Sequence, residues 1–212
     1  MRTRFDKELD HLHEAMEEIG QLCKESISES TDALFTGNYH KAEDTINLHH
    51  RIHKAERDIE ETCLRLLMEQ QPVATDLRII SASLKAVYDL ERIGEIGADI
   101  AELILKEHLS YANDMLNLKS MSQIATCMVN DAVTALANQN VELAKAVIDR
   151  DDQVDYDFGK AKAFLIDNFN KDSNPEYLIN LMMVAKYFEK IGDHAVNIAK
   201  WSLFVTTGKT GR

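Results

Sequence analysis

Two pairs of acidic side chains recur at one spacing in the two halves of this 212-residue chain. Glu91 and Glu95 lie four residues apart in the first half, and Glu189 and Asp193 lie four residues apart in the second. Residues four apart share one face of a helix, about 6 Å from each other, so that each pair can converge on a single ion. The spacing therefore indicates two candidate cation sites.

A second pair of potential ligands precedes each acidic pair. His49 and His53 in the first half align with Asp151 and Asp155 in the second. If the helices that carry these pairs are neighbours, four ligand-type side chains face one another in each half. Carboxylates packed together raise one another's pKa values, and a bound metal ion removes that repulsion. The histidines favour zinc, iron or another transition metal, whereas the all-carboxylate set fits iron, manganese or magnesium.

The acidic pairs also have a structural explanation, because charges at this spacing can simply be the solvated face of a helix in an acid-rich chain. Their repetition in both halves favours the metal-ligand interpretation. Asp99 and Asn197 lie further along the same stripes and are weaker metal candidates. Gly94 and Gly192, each between the two acids of a pair, predict a close approach to the backbone. A neighbouring helix or a ligand could make that approach, and helix packing is favoured.

The elements that must position these residues are predicted to be long helices. Only 2 prolines and 8 glycines occur, and such scarcity favours few turns. Gly37 and Asn38 are predicted to end one helix and begin the next, Thr75 or Asp76 to cap the third, and Pro175 to begin the sixth. No segment alternates as a strand would, so we predict an all-α fold. Breaks near residues 70–72, 110–114, 138–140 and 172–175 complete six predicted helices: 3–36, 39–70, 75–109, 115–138, 141–169 and 175–206.

The order of three helices is used twice. Residues 90–95 align with 188–193 at an offset of 98, and the segment that begins at Asn38 aligns with the one that begins at Asn140 at an offset of 102. We assign the difference of four residues to the loop at Pro72. Long helices usually pack side by side as bundles, so the repeat predicts two three-helix units, residues 1–109 and 110–212.

Composition narrows the possible functions. The net charge of −12 disfavours direct contact with nucleic acid or anionic lipid. No phosphate-binding loop or nucleophile elbow is present in the sequence, and no catalytic residue is predicted. The start of the chain lacks an apolar signal core, and no apolar run approaches the roughly 18 to 20 residues that span a bilayer. Cys23, Cys63 and Cys127 are scattered and are predicted to be buried free thiols, which together with these features predicts a cytoplasmic protein.

Three segments resemble the signatures of the PhoU family, the regulators of phosphate-specific transport. Residues 71–78 (QPVATDLR) and 90–95 (LERIGE) are similar to its first-half signature, and residues 188–199 (FEKIGDHAVNIA) to its second-half signature. The opening MRTRFD is also similar, and the resemblance covers essentially the whole chain. It implies two three-helix bundles related by pseudo-twofold symmetry, with multinuclear metal clusters on the bundle surfaces held by Asp/Glu-x-x-x-Asp pairs.

The resemblance assigns the clusters residue by residue. All four second-half residues fit the family's pattern, whereas in the first half the glutamates replace the usual aspartates and the histidines depart from the usual acids. Transition-metal ions are implied, with iron and zinc as the first candidates. The implied ligands are His49, His53, Glu91 and Glu95 for the first cluster, and Asp151, Asp155, Glu189 and Asp193 for the second.

The resemblance also implies a function. Members of this family are cytoplasmic adaptors rather than enzymes, and they restrain phosphate uptake and phosphate-starvation (Pho regulon) gene expression. The implied partners are the ATPase subunit of the phosphate ABC transporter and a sensor histidine kinase, with the membrane reached only through them. A homodimer is expected. A carboxylate-bridged metal enzyme, or a bundle that stores metal or phosphate, stays open as an alternative.

Overall fold

Six α-helices make up the part of the chain that the structure, a computed structural model, describes: residues 2–69, 72–169 and 174–209. No strand occurs within these ranges, so the all-α prediction is confirmed. The predicted breaks at Gln70 and Gln71 and at Asp172 and Ser173 lie outside the described residues. The helices are α1 (Arg2–Thr36), α2 (Tyr39–Glu69), α3 (Ala74–Glu107), α4 (Leu118–Asn138), α5 (Val141–Asn168) and α6 (Pro175–Thr207).

Three turn residues, Gly37, Asn38 and Pro175, end or begin helices where the sequence predicts. Gly37 adopts a left-handed conformation (φ 67°), and its N–H donates to the carbonyl of Ala33 at 2.9 Å, which closes α1. The side chain of Asn38 accepts from the N–H of His40 at 3.2 Å and so caps α2. Pro175 is the first residue of α6.

The predicted cap of α3 is wrong. The helix begins at Ala74, and Val73 is the capping residue, without a side-chain hydrogen bond to the helix. Thr75 and Asp76 therefore lie inside the first turn. Asp76 still stabilises this end, because a negative charge in the first turn interacts favourably with the helix dipole.

The helix α4 begins three residues later than predicted. The carboxylate of Asp114 accepts from the N–H of Leu118 at 2.7 Å and from that of Lys119 at 3.1 Å. Asn117 is in the left-handed region (φ 56°), so the helix cannot extend back through it. Asp114 thus acts as a cap across a short turn rather than as the residue just before the helix.

The helices form two groups of three. Helices α1, α2 and α3 pack on one another, as do α4, α5 and α6, which confirms two tandem three-helix bundles. The groups meet through α1 against α4 and α3 against α6, so α2 and α5 lie on opposite outer flanks. Residue 110, the predicted boundary, falls in the connection between α3 and α4. Fully buried side chains fill both bundles, among them Ile19, Ile52 and Ile93 in the first and Met128, Val154 and Phe188 in the second.

The contact between α3 and α6 shows the repeat directly. The buried carboxylate of Asp89 accepts from Asn197 at 3.2 Å and lies 2.8 Å from Nδ1 of His194. Tyr187 is the counterpart of Asp89 at the offset of 98, and burial together with the charge of Asp99 raises its pKa. Asp99 is in turn the counterpart of Asn197. The repeat therefore maps the contact of Asp89 with Asn197 onto the contact of Tyr187 with Asp99. Helices α3 and α6 accordingly run antiparallel about a pseudo-twofold axis.

The cysteines are only partly as predicted. Cys23 and Cys63 are buried and free, but Cys127 is exposed, because it lies on the outer face of α4. No helix in the described ranges has the length and the apolar run that crossing a bilayer requires.

Candidate metal centres

The structure brings the four second-half candidates together. Asp151 and Asp155 project from α5, and Glu189 and Asp193 from the adjacent α6. Burial raises the pKa of Asp151 to about 6, and the negative charges of Asp155, Asp193 and Glu189 add to that rise. Burial also raises the pKa of Asp155, followed by the charges of Glu189 and Asp193. Mutual repulsion of this kind is the condition that a bound cation relieves.

Two buried carboxylate oxygens in this cluster accept no hydrogen bond from the described residues: Oε2 of Glu189, which lies in an ion pair with Lys186, and Oδ1 of Asp151, which is orphaned. The Oδ1 atom of Asp151 is buried, and it accepts no hydrogen bond from any residue in the described ranges. A buried acceptor without a partner costs about 1–3 kcal/mol. The donor set and the orphaned oxygen therefore fit a metal ion at this position.

Lysines neutralise the acids of α6. The Nζ atom of Lys186 lies 2.6 Å from the carboxylate of Glu189, and that of Lys190 lies 2.5 Å from Asp193 and 3.7 Å from Glu189. Within the described residues, no three His, Cys, Asp or Glu side chains are arranged so that they could hold a metal ion as they stand. The α6 carboxylates are instead engaged by the ammonium groups of their own helix.

The first-half candidates come together less completely. The Oε1 atom of Glu91, on α3, lies 3.6 Å from Nε2 of His49 and 3.7 Å from Nδ1 of His53, both on α2. The Nε2 atom of His49 is buried and makes no hydrogen bond to the described part of the chain. Glu95 instead pairs with Arg92 one turn earlier on its own helix, and Arg92 also lies 3.8 Å from Glu91.

The two weaker metal candidates, Asp99 and Asn197, lie in different surroundings. Burial raises the pKa of Asp99, the charges of Glu95 and Glu102 add to that rise, and His49 opposes it, which places Asp99 beside the first cluster. Asn197 donates its amide to Asp89 on α3 and so belongs to the contact between the halves.

The two glycines admit the neighbouring helices. A Cβ on Gly94 would lie 2.7 Å from Cδ1 of Ile52, so α2 packs directly on the backbone of α3. A Cβ on Gly192 would lie 3.0 Å from Oδ1 of Asp151. Helix packing, the favoured explanation, accounts for Gly94, whereas Gly192 makes room for the orphaned carboxylate.

Sequence reasoning did not place four charged residues at these clusters. Arg92, Lys186 and Lys190 each precede a candidate acid by three residues, a spacing that places opposite charges together on a helix and could have revealed them. Glu56 lies three residues after His53 on α2, and burial together with the charges of Glu60 and Glu91 raises its pKa. It therefore borders the first cluster.

Comparison with known proteins identifies relatives over the full length of the chain. The family model described as PhoU domain matches residues 16–104 and 118–202. The phosphate-specific transport system accessory protein PhoU homolog 1 of Methanothermobacter thermautotrophicus is 32% identical over 209 residues, which cover 97% of this chain and 95% of the relative. The corresponding homolog of Aquifex aeolicus is 36% identical over 205 residues, covering 96% and 93%.

Solved structures agree with the fold. The crystal structure of PhoU from Pseudomonas aeruginosa has a TM-score of 0.91 at 28% identity, and the match covers 97% of this chain and 100% of that one. The phosphate transport system regulatory protein PhoU from Streptococcus pneumoniae has a TM-score of 0.90 at 26% identity, covering 98% and 99%. The six-helix arrangement is therefore shared along the whole chain.

Proposed function

The chain belongs to the PhoU family, and we propose that it is a regulatory accessory protein of phosphate-specific transport rather than an enzyme. The relatives' names support this, since they describe accessory proteins of the phosphate-specific transport system. In this proposal the protein is a cytoplasmic homodimer that restrains phosphate uptake and phosphate-starvation gene expression. It acts as an adaptor between the ATPase subunit of the phosphate ABC transporter and a sensor histidine kinase.

We further propose that the two clusters bind transition-metal ions, iron or zinc. The observation that carries this proposal is the orphaned buried Oδ1 of Asp151 within a group of four acids. A bound ion would supply positive charge between α5 and α6 and would hold the two helices together. The second site would use Asp151, Asp155, Glu189 and Asp193, and the first would use His49, His53 and Glu91, with Glu95 and Asp99 beside them.

The lysines give this arrangement a means of signalling. Lys186 and Lys190 form ion pairs with Glu189 and Asp193. Both ammonium groups lie at the surface, and they would be released to solvent when the acids turn to a cation. The outer face of the second half would then change from neutralised to basic. A partner with an acidic surface could distinguish these two states.

Elemental analysis tests the metal sites. The wild-type protein is purified without chelators and its metal content is compared with that of the double variant Asp151→Ala, Asp155→Ala. We expect the variant to lose the second-half metal and to retain the metal of the first half. The matched control, Asp149→Ala with Asp152→Ala, removes two exposed acids of the same helix and should retain both. Equal metal content in all three proteins would reject the ligand assignment.

Gene expression tests the regulatory role. Deleting the gene should raise phosphate-starvation gene expression in cells grown at high phosphate, and the wild-type gene should restore repression. Pull-down of the purified kinase sensor region or the transporter ATPase by the purified protein tests direct contact. Unchanged expression in the deletion strain would reject the regulatory function whatever the metal content.

A further inference from the structure

The outer faces of α2 and α5 carry charges of opposite sign at matching positions. The offset of 102 relates the two helices, and burial agrees along it, since Ile52 and Val154 are both buried at this offset. Within the described parts of the two helices, the signs are opposite wherever an exposed Lys, Arg, Asp or Glu of α2 aligns with another in α5. The aligned pairs are Glu43 with Lys145, Asp58 with Lys160, Glu60 with Lys162, and Arg65 with Asp167.

Contacts inside the chain do not account for this pattern. Helix α2 packs on α1 and α3, and α5 packs on α4 and α6, so each presents an outer face to solvent. The described part of the chain offers no ion-pair partner to Asp58, Glu60, Lys160 or Lys162. Because α2 and α5 lie on opposite flanks of the molecule, their charges can meet only between two chains.

We propose that the α2 flank of one copy docks on the α5 flank of a second copy. The α2 flank is Glu43, Asp58, Glu60 and Arg65, and the α5 flank is Lys145, Lys160, Lys162 and Asp167. A partner that matches the α2 flank carries three basic residues and then an acidic one, in that order and at the same spacing along a helix. The α5 flank of a second copy meets every part of this description.

The same charges set the direction of the contact. In a parallel contact each residue of the α2 flank meets its aligned residue of opposite sign. In an antiparallel contact Glu43 would lie towards Asp167, and Arg65 would lie towards Lys145. Like charges would then face each other at both ends, which is unfavourable. The docked helices therefore run parallel.

An apolar contact accompanies the charges. Leu64 on α2 is 46% exposed, and Ile166, its aligned residue on α5, is 63% exposed. Parallel docking brings these two side chains together beside the pair of Arg65 with Asp167 and removes both from water. Ion pairs at an exposed surface contribute little by themselves. Burial of Leu64 and Ile166 therefore adds to the stability of the contact.

The contact joins two different surfaces, so each docked copy leaves one flank of each kind free. Contacts of this type build chains of copies rather than closed dimers unless the rotation between copies closes a ring. Salt weakens them, because the screening length falls from about 10 Å at 0.1 M to about 3 Å at 1 M. Neither the metal sites nor the proposed regulatory function is needed for this inference, and its failure would leave both untouched.

Charge reversal tests the contact. The first variant, Asp58→Lys with Glu60→Lys, makes the α2 flank basic, and the second, Lys160→Glu with Lys162→Glu, makes the α5 flank acidic. Each variant should repel its own copies, whereas the two are complementary to each other. Cys127 is exposed on α4, away from both flanks, and carries either a donor or an acceptor dye. Energy transfer between metal-free proteins at about 0.1 M salt then measures association.

The mixtures give distinct results. We expect wild type mixed with wild type to associate, and each variant mixed with itself to associate at least tenfold more weakly. The first variant mixed with the second should recover an affinity within about threefold of the wild type. Circular dichroism checks that both variants are folded. Failure of the two variants to recover association with each other would overturn the proposal.

A control separates this contact from general repulsion. Each replacement of an acid by lysine adds two positive charges, so the first variant changes the net charge from −12 to −8. The matched control, Glu17→Lys with Glu25→Lys on α1, makes the same change at exposed positions outside both flanks. It should associate at least as strongly as the wild type. Equal association of the first variant and this control would contradict docking through the flanks.

A second pair of variants tests the direction. Glu43→Lys and Lys145→Glu lie at the other end of the two flanks and should each weaken self-association. Mixed together they should recover it, because parallel docking places these positions opposite each other. If both weaken association and their mixture does not recover it, the parallel alignment is wrong.

Other results would assign these flanks differently. Equal energy transfer in every mixture would place self-association on another surface, and no transfer in the wild type would exclude a second copy as the occupant. Binding of the wild type to phosphatidylcholine–phosphatidylglycerol vesicles that Lys160→Glu with Lys162→Glu abolishes, without self-association, would assign the α5 flank to a membrane. Each of these results would overturn the proposal.

Discussion

Replacing Asp151 by asparagine should stabilise the metal-free protein at neutral pH. The carboxylate of Asp151 is partly buried beside three other acids, and its Oδ1 atom has no hydrogen-bond donor in the described ranges. Asparagine has nearly the same shape and no charge. The substitution therefore removes the repulsion and the cost of burying a charge while leaving the packing against Gly192 in place.

The effect of Asp151 on the free energy of unfolding depends on pH. Burial raises the pKa of Asp151 from 3.8 to about 6. Near pH 4 the carboxyl group is protonated in the folded protein and about half ionised in the unfolded chain, so the wild type has little of the penalty. Between pH 4 and about 6 the unfolded chain releases this proton and the folded chain retains it, so the wild type loses stability as the pH rises. The penalty is complete above about pH 7.

The size of the effect follows from the pKa. A rise from 3.8 to about 6 corresponds to about 3 kcal/mol for a group fully shielded from water. Solvent reaches part of this cluster and screens the charges, so we expect a gain of about 1 kcal/mol at pH 7.5. For a chain of this length that is a rise in Tm of about 2–4 °C.

Urea unfolding followed by circular dichroism at pH 4 and pH 7.5, in the presence of a chelator, measures the difference. The matched control is Asp152→Asn, which removes the same charge from an exposed neighbouring position. Asp151→Asn should gain stability over this control at pH 7.5 and not at pH 4. An equal gain at both pH values, or no gain over the control at pH 7.5, would refute the electrostatic argument.

Three other predictions concern packing, thiols and metal. Gly94→Ala should lower the free energy of unfolding by about 1–2 kcal/mol in chemical unfolding, because the added Cβ would meet Ile52. Gly159→Ala has open space around it and should instead raise the free energy of unfolding by about 0.5–1 kcal/mol. Similar values for the two variants would contradict the packing described. A thiol reagent should quickly modify one cysteine of the native protein, the exposed Cys127. Cys63 should react only on unfolding, because burial and the charge of Glu60 raise the pKa of its thiol to about 12. Rapid modification of two cysteines per chain would be inconsistent with this burial. Adding zinc at 100 times its Kd should stabilise chelator-treated protein by about 2.7 kcal/mol in a thermal scan, and an unchanged Tm would argue against the proposed sites.

Much of the fold could be predicted because its signals are local. Gly37 and Asn38 mark one connection by their own conformational preferences, and they do so whatever packs around them. The start of α4 was missed because Asp114 caps the helix from four residues away. Met115 and Asn117 fit a helical pattern equally well, so composition alone does not distinguish the two starts.

The candidate sites were predictable only as far as helical spacing reaches. Spacing four residues apart correctly placed Glu91 opposite His49 and His53, since the backbone fixes which side chains share a face. It did not predict that Glu95 turns to Arg92, because a flexible side chain selects among rotamers according to the nearest opposite charge. The direction of Asn197 depends on Asp89, which is distant in sequence, and no local pattern encodes that contact.

Asp89 with Asn197 and Tyr187 with Asp99 occupy equivalent positions between the antiparallel helices α3 and α6, but their side chains differ. This difference has an evolutionary consequence. In an assembly of two identical subunits, every mutation is copied across the axis, so both sides must tolerate it together. A fused duplicate is free of that constraint, and Tyr187 can face an acid on one side while a carboxylate and an amide meet on the other. One gene can thus retain a symmetric scaffold and let each lobe specialise separately.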